Sequence, residues 1–253
     1  MAIICCKGRR FGSIQAVLFD KDGTLARVEA YLAAVGMARW QLLCREETDL
    51  AKETATGAIT PLLSAFGMCD GRVDPAGLLA VGSRWENEVA AAAYLAAAGW
   101  DWITALNTAQ AAFSEAACLH QPKAAKTPLI ENVRPLLTRL SEVGIKAGIV
   151  SADLQSEVTA FIEYNSLAEI SWCCGASAST LPKIHPDFLQ FACDAMGAAP
   201  SETLIVGDSA ADLALARQGA AGFLGMTGGW SLPPRIGPDV VAIARFSEVE
   251  CMP

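Results

Sequence analysis

The stretch AVLFDKDGTLA, residues 16–26, predicts a short buried strand that ends in two acidic residues. Its first four residues are apolar, and Asp20, Lys21, Asp22 and Gly23 follow them directly. A short apolar run bounded by turn-forming residues is typical of a strand inside a sheet. Because repulsion between the two aspartates needs compensation, the stretch indicates either a solvated Asp-Gly turn or a site for a cation or a phosphate group.

The composition is that of a globular protein and excludes several classes of partner. The 253 residues suffice for one domain with an insertion or for two domains. Hydrophobic residues make up 53% of the chain and charged residues 18%, which argues against an intrinsically disordered protein. The net charge of −8 argues against binding to nucleic acid or to an anionic membrane.

The sequence also predicts the compartment. The most apolar stretch, residues 89–99, is far shorter than the roughly 20 residues that span a bilayer, and the start of the chain lacks the charge order of a signal peptide. Nine cysteines occur without a C-x-x-C pair, which indicates reduced thiols. We therefore expect a cytoplasmic protein with no membrane partner, while the oligomeric state stays open.

After residue 126, apolar runs alternate with helix-like stretches. The predicted strands are residues 147–150, 170–174, 203–206 and 240–243, and the predicted helices are residues 133–144, 153–164, 187–197 and 211–220. Such alternation predicts an α/β fold with a doubly wound, mostly parallel sheet that is covered on both faces. Asp153 is expected to be the N-cap of the helix that follows it.

Residues 29–125 interrupt this alternation. They contain helix formers and no convincing strand, with expected breaks at residues 57–61, 67–75 and 99–101. We interpret them as an all-helical domain inserted after the first strand. The α/β core would then comprise residues 1–28 and 126–253.

Polar residues follow the predicted strands at the edge where ligands bind in doubly wound sheets. Asp20 and Asp22 follow the first strand, Ser151 and Asp208 follow two others, and Lys183 opens a helix. Three clustered carboxylates are suited to a hard cation, and a hydroxyl with an ammonium group is suited to phosphate oxygens. Each residue alone has a simpler explanation as a cap, a turn residue or a surface charge, so the prediction rests on the group.

Four motifs in this order resemble those of the haloacid dehalogenase superfamily. They are FDKDGTL at 19–25, GIVSAD at 148–153, PKIHPD at 182–187 and VGDSAADLALA at 206–216. Their spacing resembles the phosphoglycolate-phosphatase-like branch, which has a Rossmann-like core and a helical cap between the first and second motifs. The chain departs from the family pattern at Ala26 and Arg27, where a polar pair is common, and at Ile184, where proline usually follows the lysine.

The resemblance implies a role for each motif residue. Asp20 would be the nucleophile that forms an aspartyl phosphate, and Asp22 the general acid and then the general base. Ser151 and Lys183 would bind the phosphoryl group that is transferred.

The resemblance also implies a metal site. Asp20, the backbone carbonyl of Asp22 and Asp208 would hold Mg²⁺, with Asp212 in support. This agrees with electrostatics, because a carboxylate approaches a phosphate dianion only when positive charge from Mg²⁺ and Lys183 offsets their repulsion.

We therefore expect an Mg²⁺-dependent phosphatase that acts on a small phosphorylated metabolite, with a phosphoglycolate-like compound as the default of the branch. A phosphomutase of the β-phosphoglucomutase type would share Asp20 and Asp22, although GDSAAD resembles the phosphatase form of the last motif. A dehalogenase needs neither a metal nor the second aspartate. A non-catalytic binding protein on a phosphatase fold is the alternative from a different functional class.

Overall fold

A computed structural model describes residues 2–45, 61–177 and 181–253 of the chain. The chain divides into two compact units. The first contains Met1–Val28 and Ala124–Pro253, and the second contains Glu29–Lys123. The chain therefore leaves the first unit once, after the first motif, and returns to it once.

A parallel sheet forms the centre of the first unit. Its strands, in chain order, are β3 Ala16–Asp20, β6 Lys146–Leu154, β7 Ile170–Ala176, β8 Thr203–Gly207, β9 Gly222–Met226 and β10 Ala242–Ile243. They lie in the order β10-β9-β8-β3-β6-β7, and every neighbouring pair is parallel. The expectation of a doubly wound parallel sheet is confirmed.

Helices cover both faces of this sheet because its central strand is apolar on both sides. The helices of the first unit are α6 Val133–Glu142, α7 Gln155–Tyr164, α8 Phe188–Met196 and α9 Ala210–Ala216, and the short α5 Lys123–Lys126 lies where the chain returns. Val17 and Phe19 of β3 pack in a core cluster with α6 and α7. Ala16 and Leu18 pack in a second cluster with α8 and α9. The alternation of side chains along a strand sends successive residues to opposite faces.

The strand register aligns the carboxyl ends of the three central strands. Asp20 of β3 lies beside Val150 of β6, and Phe19 lies beside Val206 of β8. Ser151, the next residue of β6, and Asp208, the first residue after β8, therefore lie at the edge where β3 ends. Parallel pairing alone brings together residues that are far apart in sequence.

A smaller antiparallel sheet was not predicted. It contains β1 Ala2–Cys6, β2 Arg9–Ile14 and β11 Val249–Met252 in the order β11-β1-β2. Strand β9 was also missed, because glycine is a poor strand former and occurs twice in it. Packing explains one of these glycines, since a Cβ on Gly222 would lie 2.6 Å from the Phe11 ring.

The second unit is mainly helical. Its helices are α1 Glu29–Arg45, α2 Leu78–Val81, α3 Arg84–Ala97 and α4 Trp102–Leu119, together with helical residues 61–65. It also contains two antiparallel strands of two residues each, β4 Met68–Cys69 and β5 Arg72–Val73. The expectation that the insertion is wholly helical is therefore wrong. Strands this short carry no alternation that a sequence pattern can reveal. The break predicted at 57–61 lies almost entirely outside the described residues.

We find no helix among the described residues that is both long enough and apolar enough to cross a bilayer.

Candidate active site

Asp20, the last residue of β3, forms an ion pair with Lys183. The Nζ atom of Lys183 lies 2.7 Å from Oδ1 of Asp20, and the same ammonium group pairs with the carboxylate of Asp212. The side chains of Lys183 and Asp20 are only 11% and 13% exposed. Burial weakens the screening of these charges by water, so Lys183 holds the end of β3 against the start of α9 more strongly than a surface ion pair would.

Asp212 is fixed by the first turn of α9. Its Oδ2 atom accepts hydrogen bonds from the backbone N–H of Ser209 at 2.9 Å and from the Ser209 hydroxyl at 2.6 Å. The Ser209 hydroxyl in turn accepts from the backbone N–H of Asp212, which completes a capping box. Gly207 is required directly before this turn, because a Cβ there would lie 2.2 Å from Cγ of Asp212.

Asp208 is held through both carboxylate oxygens. The Thr24 hydroxyl donates to Oδ1 at 2.9 Å, and the indole N–H of Trp230 donates to Oδ2 at 2.6 Å. Gly23 lies beneath this contact at φ +87°, where a Cβ would come within 2.2 Å of the indole nitrogen and 2.5 Å of Oδ2. The glycine of the first motif therefore has a second role besides turn formation, since it makes room for Trp230 and Asp208.

Thr24 and Trp230 were not predicted as site residues from the sequence. Thr24 lies inside the FDKDGTL motif, so its position next to Asp20 and Asp22 was an available signal. Trp230 lies in the segment that follows β9, and nothing in its sequence neighbourhood connects it with Asp208.

Three carboxylates meet closely enough to hold one cation. Each of Asp20, Asp208 and Asp212 offers an oxygen, and within the described residues these oxygens lie within 4.8 Å of one another. A set of hard carboxylate oxygens fits Mg²⁺ rather than a metal that prefers sulfur or imidazole. Asp22 was expected to contribute its backbone carbonyl, and that assignment stays a prediction.

Crowding and burial shift the pKa values of these groups. Burial raises the pKa of Asp20 from 3.8 to about 7. The charge of Lys183 opposes this shift, and the charges of Asp212 and Asp22 add to it. Burial, together with the charges of Asp20 and Asp212, raises the pKa of Asp208 well above its ordinary value. Burial lowers the pKa of Lys183, but the two carboxylates that it contacts outweigh this, and the net shift is upward. The upward shifts of the two aspartate pKa values show that Lys183 alone does not compensate three ionised carboxylates, so without a further cation these groups retain protons more readily.

A second lysine forms a separate network at the same edge. Lys21, between the two aspartates of the first motif, is 1% exposed, and its Nζ atom lies 2.5 Å from Oδ1 of Asp22 and 3.0 Å from Oδ2 of Asp153. The expectation that Asp153 caps α7 is wrong, because β6 continues to Leu154, which occupies the N-cap position. The backbone N–H of Asp153 donates instead to the buried Ser151 hydroxyl at 3.1 Å.

The six predicted site residues therefore fall into two groups. Asp20, Lys183, Asp208 and Asp212 form one connected cluster. Asp22 and Ser151 belong to the network around Lys21 and Asp153. Both groups lie at the carboxyl ends of the central strands.

Comparison with known proteins identifies the family. A sequence model of haloacid dehalogenase-like hydrolases matches residues 14–219, and the chain belongs to this family of hydrolases. A comparison with curated proteins finds no significant match.

Solved structures share the fold at low sequence identity. A putative haloacid dehalogenase-like hydrolase from Bacteroides fragilis superposes with a TM-score of 0.61 at 20% identity, covering 93% of this chain and 99% of its own. A predicted phosphoglycolate phosphatase from Haemophilus somnus gives 0.61 at 19% identity and coverages of 91% and 94%. A dehalogenase with an intermediate complex gives a TM-score of 0.52 at 18% identity and coverages of 93% and 95%. These likenesses define the fold.

Replacing Trp230 by Phe tests how Asp208 is positioned. Phe keeps an aromatic ring but removes the N–H that donates to Oδ2. Because outer hydrogen bonds orient ligands, we expect Mg²⁺ affinity to fall about 10-fold or more. Titration calorimetry of the metal-free protein measures this. Trp85→Phe, at an exposed position, is the control, and unchanged affinity in Trp230→Phe would contradict the assigned role.

The raised pKa of Asp20 predicts a pH effect on the metal-free protein. At pH values between 3.8, the ordinary pKa of an aspartate, and about 7, the pKa of Asp20 in the folded protein, the folded state keeps a proton that the unfolded state has lost. The folded state then binds more protons, so the free energy of unfolding must decrease as pH rises through this window, by at most about 1.4 kcal/mol per pH unit. Urea unfolding at several pH values in chelator should show this decrease in wild type relative to Asp20→Asn. If the free energy of unfolding of wild type minus that of Asp20→Asn stays constant or increases with pH, the expected effect of Asp20 is refuted.

Proposed function

We propose that the protein is an Mg²⁺-dependent phosphatase that hydrolyses a small phosphomonoester through an aspartyl-phosphate intermediate. The observation that carries this proposal is the position of Asp20. Its carboxylate ends the central strand, contacts Lys183, and shares a cluster with Asp208 and Asp212 that fits a cation. A carboxylate nucleophile, an ammonium group and a divalent-cation site at one place are what phosphoryl transfer to an aspartate requires.

The first chemical step transfers the phosphoryl group to the protein. An oxygen of Asp20 attacks phosphorus and the bond from phosphorus to the leaving oxygen breaks, while the carboxyl group of Asp22 gives that oxygen its proton. Mg²⁺ supplies positive charge that reduces the repulsion between the carboxylate and the phosphate. Lys183 and Ser151 bind the phosphoryl oxygens during the transfer.

The second step releases inorganic phosphate. The carboxylate of Asp22 now takes a proton from water, and the water oxygen attacks phosphorus. The acyl-phosphate bond breaks, which restores the carboxylate of Asp20. One group thus serves as acid and then as base, so the first step leaves Asp22 in the form that the second step needs.

A dehalogenase is the second candidate, because one structure with this fold is described as a dehalogenase. It would use Asp20 as a nucleophile on carbon and would not need a cation cluster. The cluster of Asp20, Asp208 and Asp212 therefore favours phosphate chemistry. A phosphomutase would use the same site residues and differs in retaining its product for a second transfer.

For the substrate we propose a small phosphorylated metabolite of the phosphoglycolate type. The support is the similarity of the fold to that of a predicted phosphoglycolate phosphatase from Haemophilus somnus. We further propose that residues 29–125 act as a cap that selects the substrate, since they are inserted directly after the first motif. The nine cysteines are free thiols, which supports a cytoplasmic location.

A phosphate-release screen tests the proposed function. We expect the protein to release phosphate from one or more compounds in a panel of phosphoglycolate, sugar phosphates and nucleoside monophosphates when Mg²⁺ is present. Removal of metal followed by excess EDTA should abolish turnover, because the three carboxylates then lack their counter-charge. Halide release from 2-haloacids is the parallel assay. Full turnover in EDTA, or halide release without phosphatase activity, would overturn the proposal.

Replacing each of the two aspartates of the first motif should impair a different step of the reaction. Asp20→Asn removes the nucleophile, so neither an aryl nor an alkyl phosphate should react. Asp22→Asn keeps the nucleophile and loses proton transfer, which is worth roughly 10²–10⁴ in rate. A nitrophenolate leaves without a proton, so this variant should give a burst of nitrophenol and then almost no turnover. Stopped-flow absorbance measures the burst, and equal, burst-free losses in both variants would contradict the division of roles.

A further inference from the structure

Lys21 has no role in the mechanism above, although it is among the most buried charged residues of the described chain. It is 1% exposed, and its ammonium group contacts Asp22 and Asp153. The Nζ atom also lies 5.3 Å from the centre of the Phe161 ring, on α7. A buried ammonium group is costly unless it is paired, and an aromatic face adds to its stabilisation. The fold thus provides a complete set of partners for this charge.

We propose that Lys21 is a positioning residue for the acid–base carboxylate of Asp22. This inference rests on the proposed phosphatase function. Lys21 binds one oxygen of Asp22 and is itself paired with Asp153, so the ammonium group that holds this carboxylate is fixed in its own position. A carboxylate that exchanges protons with the leaving group must lie within hydrogen-bond reach of it, and small displacements of such a group cost large factors in rate.

Asp153 connects Lys21, and through it Asp22, with Ser151, the predicted phosphate-binding residue. Asp153 contacts Lys21 through its side chain and the Ser151 hydroxyl through its backbone N–H. The end of β3 and the end of β6 are thereby tied together beside the sheet ladder. We infer that Lys21 keeps the proton-transferring group in register with Ser151, where the phosphoryl oxygens would bind.

A separate lysine holds the nucleophile. Lys183 contacts Asp20 and Asp212, whereas Lys21 contacts Asp22 and Asp153. Removing Lys21 should therefore disturb proton transfer and leave the attack of Asp20 largely intact. This separation makes the role testable, because the two chemical functions respond differently to the leaving group.

Lys21→Met is the main variant, since methionine is unbranched and fills similar space without charge. The measured quantity is the single-turnover rate of aspartyl-phosphate formation, followed by acid quench and mass spectrometry. It is compared for nitrophenyl phosphate and for the best alkyl phosphate found in the screen. We expect the rate with the alkyl phosphate to fall 10- to 100-fold while the rate with nitrophenyl phosphate changes less than about 3-fold. The phosphorylated protein should also accumulate, because hydrolysis needs the same group.

Three further variants separate positioning from a structural role. Lys21→Arg keeps the charge and should restore the alkyl rate to within about 5-fold of wild type. Asp153→Asn, which weakens the ion pair with Lys21, should show the same leaving-group effect at about 3- to 10-fold, and it tests the inference even if Lys21→Met does not fold. Lys146→Met is the matched control: this lysine binds the carbonyl oxygens of Met196 and Gly197 and lies at the other end of β6. It should leave the ratio of the two rates unchanged.

The outcomes distinguish this inference from the proposed function. If wild type releases no phosphate from any substrate, the proposed function fails and the inference fails with it. If wild type is active and Lys21→Met and Asp153→Asn keep the wild-type ratio of alkyl to aryl rates, only the inference is overturned. Equal losses for both leaving groups in Lys21→Met would also overturn it, because they would indicate damage to the nucleophile or the fold.

Discussion

Lys183 contacts the carboxylates of Asp20 and Asp212, and this contact joins parts of the chain that are far apart in sequence. Without it, the buried carboxylates at the end of β3 and the start of α9 would repel one another across a poorly screened space. The parallel register brings the strand ends together, but backbone hydrogen bonds do not compensate charge. The ammonium group therefore makes the aligned strand ends compatible with a folded protein. The three carboxyl groups outnumber this one ammonium group, which is why we propose a divalent cation as their further counter-charge.

The charged groups at the carboxyl edge of the sheet form two separate sets of ion pairs, one around Lys183 and one around Lys21. Lys183 pairs with Asp20 and Asp212, which in the proposed mechanism serve attack and cation binding. Lys21 pairs with Asp22 and Asp153, which in that mechanism lie next to proton transfer and phosphate binding. In this proposal, the lysine between the two aspartates of the first motif serves to hold Asp22. Lys21 directly follows β3, and its ammonium group lies 5.3 Å from the centre of the Phe161 ring, which packs in the same core cluster as Val17 and Phe19.

Much of this arrangement could be predicted from sequence, and the reasons for the failures are physical. The strand of Asp20 and the alignment with Asp208 follow from apolar runs and from the rule that parallel strands end at one edge. Trp230 could not be found, because its hydrogen bond to Asp208 joins segments whose spacing carries no signal. Asp153 was misassigned as a cap because its side chain forms an ion pair with Lys21, which is distant in sequence. A non-local contact of this kind outweighs the local preference of aspartate for the N-cap position. Strand β9 was missed because packing against Phe11 requires glycine where strand propensity disfavours it.

The position of β3 in the sheet also constrains the order in which the protein can form as it is synthesised. Ala16 of β3 pairs with Lys146 and with Thr203, so the central strand emerges from the ribosome long before either neighbour exists. At translation rates of about 5–20 residues per second, the wait for Thr203 is on the order of ten seconds or more. Glu29–Lys123 is complete well before then and is free to fold, while an apolar strand stays unpaired on the nascent chain. The insertion thus lengthens the period in which this strand is unpaired and exposed to aggregation.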